Sequence, residues 1–346
     1  MALIASLHVF VIFCNYRIRL LLNMMSNNVP LVSVIISVYN GEKYIERCLQ
    51  SVVRQTYQNI EIIVVNDGSV DKTPVIVGEF MKLDSRIVTL DKVNEGLVEA
   101  RRTGVALAHG KYIQYLDCDD TLIENAIELL VDRAEDTQAD IVVAPFFFCE
   151  GESKKLSDTI EFEQMSGIEY LKCILNTEAY WTVWSKFHLR SLYIEDIEKL
   201  SISFGEDVVL STQLLIRSEK IVSMNDPILD YYVYSSSMSH NLDEKAYKEF
   251  NSYVLWFDDY INRSGLNSKL SNELAFFHVR NTLARLHWRK IEDADREMKR
   301  VLAELQTYPD LQRFLSHRER KIITTYRLSA LLGYLRLLYY NWRGKL

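Results

Sequence analysis

The sequence predicts an α/β fold: a mostly parallel, Rossmann-like sheet with helices on both faces, continued by a helical C-terminal extension. Three observations predict it. Near-continuous apolar runs such as Val32-Ser33-Val34-Ile35-Ile36-Ser37-Val38 recur through roughly the first 150 residues, and strands of that kind are buried on both faces. Between them lie segments whose apolar residues keep helical spacing. From residue 243 onward the pattern is almost wholly helical and holds a single proline, Pro309.

In chain order, a strand over 32–38 is followed by a helix through Tyr44, Ile45, Cys48, Leu49 and Val52, which share one helical face. A second strand over 60–65 ends at Asn66-Asp67-Gly68-Ser69, all turn-favouring residues. The spacing then predicts helix over 71–83, strand over 86–90, helix over 96–108, strand over 111–116, helix over 122–134 and strand over 140–146. Strands alternating with helices imply a parallel sheet. Beyond roughly residue 150 the alternation becomes irregular and aromatic, with Tyr170, Tyr180, Trp181, Trp184, Tyr231 and Tyr232 among the rings. The expected division is a lead-in over 1–29, a catalytic domain over 30–240 and a helical region over 241–346.

Composition narrows the function. The 346 residues are 48% hydrophobic and 25% charged, ordinary for a chain that buries a core. A net charge of −7 argues against nucleic-acid binding, which requires a basic footprint. The five cysteines are scattered with no CxxC pair, which suits reduced thiols in the cytoplasm better than a disulfide framework or a zinc site. The apolar run over 2–14 is shorter than the roughly 20 residues of a membrane span and lacks the basic start of a secretory signal. It reads as an interfacial anchor or as residues ahead of a later start at Met24 or Met25, the latter preferred.

The acidic turn Asp117-Cys118-Asp119-Asp120 carries the most chemistry. Like charges this close raise one another's pKa unless something neutralises them, and Mg²⁺ or Mn²⁺ bridging carboxylates to substrate phosphates is a common remedy. The competing reading is an N-cap for the helix expected from Leu122. Tyr39, Asp67 and Asp117 to Asp120 all follow strand ends, and open α/β sheets bind ligands beyond the carboxyl ends of their strands. Segments far apart in sequence therefore meet at one rim, which favours the metal reading.

Several motifs stand in a familiar order: Val34 to Asn40, Ser51 to Tyr57, Glu61 to Ser69, Asn94-Glu95-Gly96 with Ala100-Arg101, Gly110-Lys111-Tyr112, Leu116 to Asp120, and Gly205-Glu206-Asp207. With them the chain resembles the inverting family 2 glycosyltransferases of the GT-A fold, closely over 32–145, patchily to Tyr234 and not beyond. The resemblance implies transfer of a sugar from a nucleotide-diphosphate donor, a UDP-sugar by the family's habit, to a hydroxyl of a glycan or lipid-linked saccharide. It implies Asp117 and Asp119 as ligands of Mn²⁺ or Mg²⁺ against the diphosphate. Ser37, Tyr39 and Asp67 fall where the family contacts the nucleoside, Arg101 near the donor, and Asp117 and Asp120 at the donor itself. Ser37 stands where many members have proline. Arg102 replaces a common asparagine, leaving open which of the two arginines acts.

Inversion requires a base on the acceptor side, and Asp207 matches the second residue of the family's acidic pair. An acidic first turn favoured by the helix dipole is the alternative. Trp184 and Lys186 fit an acceptor wall, or equally a buried ring and a solvated charge. His240 is set aside as a metal ligand. Other functions to separate are a sugar nucleotidyltransferase, which wants a glycine-rich basic loop after the first strand, and a catalytically inactive binding protein of the same fold.

From Arg313 to the end there are eight Lys or Arg residues against one acid, Glu319. Leu328, Leu331, Leu332, Leu335, Leu338, Tyr339 and Trp342 form one apolar stripe on a helix, with Arg327 and Lys345 on one edge and Arg336 and Arg343 on the other. That pattern suits peripheral contact with the inner face of an anionic membrane. The alternative is a terminal helix packed on the protein's own core with its arginines reaching to water.

Overall fold

The computed structural model describes residues 29–193, 197–234, 244–286 and 291–342. The run over 2–14, Met24, Met25, His240, Arg343 and Lys345 lie outside the described residues, as does the side chain of Trp342.

Strand β1 (Val32–Val38) is buried at every position, as an apolar run covered on both faces must be. It lies between β2 (Ile60–Asn66) and β4 (Tyr112–Asp117), parallel to both, and β3 (Ile87–Asp91) extends the sheet beyond β2. Register decides the geometry of the rim: Val38 sits opposite Asn66, Ser37 opposite Asp117, and Asn66 opposite Asp91. Helix α1 (Ile45–Val53) buries Ile45, Cys48, Leu49 and Val52, its predicted apolar face. Helices α2 (Thr73–Leu83) and α3 (Leu97–Leu107) complete the first half.

The strand and helix bounds move by one or two residues from the sequence expectation, with two larger corrections. The helix expected from Leu122 begins at Ala126, as α4 (Ala126–Thr137). Thr121–Leu122 instead form a short strand, β5, paired antiparallel with β11 (Leu229–Tyr232). The strand expected over 140–146 ends early, as β6 (Ile141–Val143). Pro145 has no N–H for a ladder, and after it the chain enters a second sheet as β7 (Phe147–Glu150), followed by β8 (Ser153–Leu156). That sheet runs β5-β11-β7-β8.

Beyond α5 (Gly167–Leu175), the strand β9 (Lys186–Leu189) inserts antiparallel between β4 and β6. Helix α6 (Glu206–Ile216) and β10 (Ile221–Ser223) follow, giving a central order β10-β6-β9-β4-β1-β2-β3. Next come α7 (Glu244–Arg263), α8 (Ser271–Arg285), α9 (Ile291–Thr307), α10 (His317–Leu328) and α11 (Ala330–Trp342). Helix α7 shares a core with α6, through Val208, Val209, Phe250 and Phe257. The helices from α8 onward close a further core around Phe276, Met298, Val301, Ile322, Ile323 and Leu337.

The apolar stripe expected on a single C-terminal helix is divided. Ser329, extended at φ −163° and ψ 129°, ends α10 and puts Leu328 on a different helix from Leu331 to Tyr339.

Candidate active site

The strand ends converge as the parallel register requires. Two loops follow β1 and β2, and they are stitched together: the Asn40 N–H donates to Ser69 Oγ at 2.8 Å, the Val70 N–H to Asn40 Oδ1 at 2.9 Å, and the Gly41 N–H to Thr73 Oγ1 at 2.9 Å. Tyr39 stands at this edge, 53% exposed, with its ring open to a ligand. Ser37 is buried, and its Oγ finds no hydrogen-bond partner among the described residues. Such an orphan is uncommon inside a protein.

Asp67 is buried at the end of β2. Its carboxylate accepts from the Glu95 N–H (3.0 Å), the Gly96 N–H (2.7 Å) and the Lys92 ammonium (3.2 Å). It therefore ties the β2 rim to the start of α3, a task beyond an Asp-Gly turn. Lys92 was not legible as a site residue.

Arg101 turns inward from α3 and is buried. Its guanidinium is a fork between two chemical halves: Nη2 donates to Asp117 Oδ1 at 3.0 Å, and Nη1 to Asp207 Oδ1 at 3.0 Å and Glu206 Oε1 at 3.4 Å. Burial alone would lower its pKa, but Asp117, Asp207 and Glu206 outweigh that and hold it raised. Planarity and fixed donors make arginine the residue for this bridging. Its neighbour Arg102 faces outward, 3.8 Å from Glu99. Of the adjacent pair, Arg101 is the one joined to the acidic cluster.

The acidic turn splits into three environments. Asp117, the last residue of β4, keeps its side chain 28% exposed. Asp119 forms no ion pair among the described residues, and burial together with the Asp117 charge pushes its carboxyl up to about 6. Asp120 is fully buried, its Oδ1 accepting from the Tyr232 N–H at 2.9 Å, and burial raises it well above the usual carboxylate range. It holds β11 to the turn. It caps no helix, and it is closed to a sugar's hydroxyls in this conformation. Arg47 of α1 braces the turn from the other side, donating to the Asp119 carbonyl at 2.5 Å and to the Tyr234 hydroxyl at 3.0 Å, with its guanidinium 3.6 Å from the Tyr232 ring centroid. Nothing in the sequence separates Arg47 from an ordinary surface arginine.

Glu206 and Asp207 open α6, where carboxylates meet the positive end of the helix dipole. Gly205 makes the sharp entry possible: it is left-handed at φ 88°, and a Cβ there would strike the Tyr253 ring. Burial raises both carboxyls, and the Arg101 charge opposes that rise. The Asp207 side chain stays 22% exposed, so a hydroxyl can approach it.

The loop before β9 docks against this helix. Ser211 Oγ donates to the Trp181 carbonyl at 2.5 Å, and Gln114 Nε2 to the Trp184 carbonyl at 2.7 Å. Lys186 is fully buried and donates to the carbonyls of Tyr180 (2.9 Å) and Thr182 (2.5 Å), while burial lowers its pKa to about 7. Lys186 thus lines nothing; it shapes the loop from beneath. Trp184 is buried too, stacked on Tyr231 with centroids 5.3 Å apart.

A cavity of about 240 Å³ lies behind Arg101 between α3 and α6, lined by Val98, Val105, Tyr115, Tyr193, Val209 and Leu210 among others. Val98, Val105, Val209 and Leu210 make much of its wall apolar, and Arg101, Arg102, Lys199 and Glu206 add charged groups to it.

The residues present fit a hard divalent cation. Asp117 and Asp119 offer carboxylate oxygens, and the like-charge tension between them is what a cation relieves. Among the described residues no three His, Cys, Asp or Glu side chains form a full cage. Mg²⁺ ordinarily takes one or two carboxylates and completes its shell with substrate phosphates.

With this geometry, comparison with known proteins decides the family. Residues 33–194 match the glycosyl transferase family 2 model. The protein carries a family 2 glycosyltransferase domain over these residues. Glycosyltransferase GlyA of Streptococcus pneumoniae is 34% identical over 231 residues, 62% of this chain but only 32% of that protein. The uncharacterized glycosyltransferase EpsJ of Bacillus subtilis is 27% identical over 339 residues, 91% of this chain and 97% of the relative. Among solved structures, S. aureus TarS in complex with UDP-GlcNAc superposes with a TM-score of 0.64 at 17% identity, over 91% of this chain and 92% of that one. That likeness establishes the GT-A fold of this glycosyltransferase.

Proposed function

We propose that the enzyme transfers a sugar from a UDP-sugar to a hydroxyl of a glycan or lipid-linked saccharide, with inversion and with help from a divalent cation. One observation carries this reading: the Arg101 fork holds Asp117, at the donor rim, and Asp207, at the head of α6, in one buried cluster. A donor-side carboxylate and an acceptor-side carboxylate on opposite branches of one cation are what single-displacement inversion asks of a protein. The structural neighbour TarS was solved with UDP-GlcNAc, which supports the donor class.

Tyr39, Ser37 and the Asp67 loop would line the nucleoside, and Asp117 and Asp119 would hold a divalent cation beside the diphosphate. When bound, that cation neutralises charge on the departing diphosphate. The acceptor sugar enters between α6 and the loop carrying Tyr180 to Trp184. Asp207 accepts the proton of the attacking hydroxyl, whose oxygen forms the new bond to the anomeric carbon. The old carbon–oxygen bond breaks, and its electron pair leaves with the diphosphate. A carboxyl raised by burial toward neutral pH is better matched to general-base work than a fully solvated one.

A screen of nucleotide sugars with Mn²⁺ or Mg²⁺, scored by UDP release and then by acceptor, tests the reading. Acceptor-stimulated, metal-dependent UDP release is the expected result. Pyrophosphate release from a nucleoside triphosphate and a sugar 1-phosphate, with no UDP release from nucleotide sugars, would make the enzyme a nucleotidyltransferase. Donor binding without any turnover would make it an inactive binding protein.

A further inference from the structure

The C-terminal helix pair leaves a large apolar surface uncovered. Leu328, Leu331, Leu332, Leu335, Leu338 and Tyr339 are 38–80% exposed, while Leu337 on the same helix is wholly buried. At about 100° per residue, the five α11 members of this set fall within roughly 120° of arc. Gly333 and Leu337 fall on the opposite side and pack α11 onto α10, with Gly333 against Tyr326. The helix therefore already satisfies its core. Its second apolar face is left exposed among the described residues, and a contiguous patch of this kind marks an interaction surface.

The rim of the patch is basic. Arg336 Nη1 donates to Thr325 Oγ1 at 2.6 Å and to the Lys321 carbonyl at 3.4 Å, which aligns the edges of the two helices. Lys321, Thr325 and Leu328 follow one another along α10 at i, i+4 and i+7, beside Leu332 and Arg336 on α11. Arg318, Arg320 and Arg327 are exposed as well. The last 34 residues hold eight of the chain's 40 basic residues and one of its 47 acids. The rest of the protein is correspondingly acidic.

We infer that this face docks on an anionic lipid surface, with the leucines and Tyr339 entering the headgroup region and the basic rim meeting lipid phosphates. Two features select lipid over a second copy of this chain. An isologous pairing sets each surface against itself and would bring the basic rims together, whereas an anionic bilayer neutralises them. The acidic body is repelled by the same bilayer, so among the described residues the tail offers the attractive approach and orients the enzyme. Among the described residues no helix is long and apolar enough to cross a membrane, so α11 lies along the surface. This inference stands apart from the chemistry at the strand-end rim.

The test is sedimentation of the full chain with vesicles of phosphatidylcholine alone and with about 30% phosphatidylglycerol added. Binding to the anionic vesicles only, weakened by salt, is expected. Arg336→Gln should lower it about fivefold, and the double change Leu332→Glu with Leu335→Glu by more than about tenfold. Both leucines are exposed, so the double variant should melt with the wild type; should it unfold, Arg336→Gln and the salt series still decide. UDP release from soluble substrates, measured without vesicles, should be unchanged in the double variant, which separates this inference from the transfer reading. Equal binding to neutral vesicles, or none to anionic ones, would overturn it. So would a dimer in lipid-free solution that the double variant dissociates, which would assign the face to a second copy.

Discussion

The strand-end rim and the C-terminal helix pair depart from ordinary burial in opposite senses. At the rim, charge is inside: Arg101, Asp67, Asp120 and Lys186 are buried around the half-open carboxylates of Asp117 and Asp207. At the tail, apolar surface is outside, with Leu328, Leu331, Leu332, Leu335, Leu338 and Tyr339 facing water. Each arrangement costs stability in isolation, since buried charge loses hydration and exposed leucine gains nothing from folding. The difference lies in who relieves the cost. At the rim the protein does much of it itself, through the Arg101 fork and backbone donors, and a charged ligand completes the task. At the tail the described residues leave the face open, and on the lipid-docking reading the relief comes from outside.

The largest effect separates chemistry from binding within the rim. Asp207→Asn removes the proposed base while keeping shape and a hydrogen bond to Arg101. Transfer should fall by about 10³-fold with donor Kd nearly unchanged, as measured by kinetics beside calorimetry. Near-normal transfer would move the base elsewhere.

Next comes the cation that unites the cluster. Arg101→Met leaves three carboxylates without their shared partner and should lower stability by about 3–5 kcal/mol, read from denaturant unfolding. A loss no larger than that of a surface substitution would mean the rim does not depend on its own counter-charge.

Buried polarity continues beneath the rim, where the Tyr115 and Tyr193 hydroxyls stand 2.7 Å apart and His188 Nε2 is 3.0 Å from the Tyr193 hydroxyl. His188 Nδ1 faces the Lys186 carbonyl at 2.9 Å, so it carries the proton and Nε2 accepts. Burial lowers the His188 pKa from 6.5 to about 4. Between those values the unfolded chain binds the proton and the folded one does not, so stability falls as pH drops through that window. By pH 5 the loss should reach about 2 kcal/mol. Comparing melting of the wild type and His188→Gln from pH 7 to 4.5 isolates it, because the raised carboxyls of the rim slope the opposite way in both proteins. Parallel curves would contradict the buried neutral imidazole.

The smallest effect belongs to the tail. Leu335→Gln, at a position 52% exposed, should change stability by less than about 0.5 kcal/mol. A loss of several times that would mean the face is packed in the folded protein and would erase the contrast.

Legibility followed the same divide. The parallel sheet was readable because β1, β2 and β4 are apolar on both faces, and the positions of Asp67 and Asp117 at strand ends followed from it. Asp207 was readable only through the Gly205-Glu206-Asp207 motif. What failed depended on distant partners. Asp120 was expected at the donor, with a helix cap as the alternative, and its tie to β11 was hidden because the pairing of Thr121 and Leu122 with β11 spans over a hundred residues. Arg47, Lys92 and Lys186 are single basic residues whose burial or ion pairing no local pattern announces. Pro145 did announce the break between β6 and β7, and the apolar run around it obscured the signal. The tail's leucine spacing was plain, but only the fold shows that Gly333 and Leu337, on the other side of α11, take the core contact.

We propose above that the rim holds a nucleotide diphosphate through a cation on Asp117 and Asp119. Calorimetric titration of UDP, with Mn²⁺ and with chelator, into the wild type, Asp119→Ala and Asp207→Asn tests it most directly. Metal-dependent binding is expected in the wild type, the same binding in Asp207→Asn, and about a hundredfold loss in Asp119→Ala. Equal UDP affinity with Mn²⁺ and with chelator, or metal-dependent binding that survives Asp119→Ala, would contradict it.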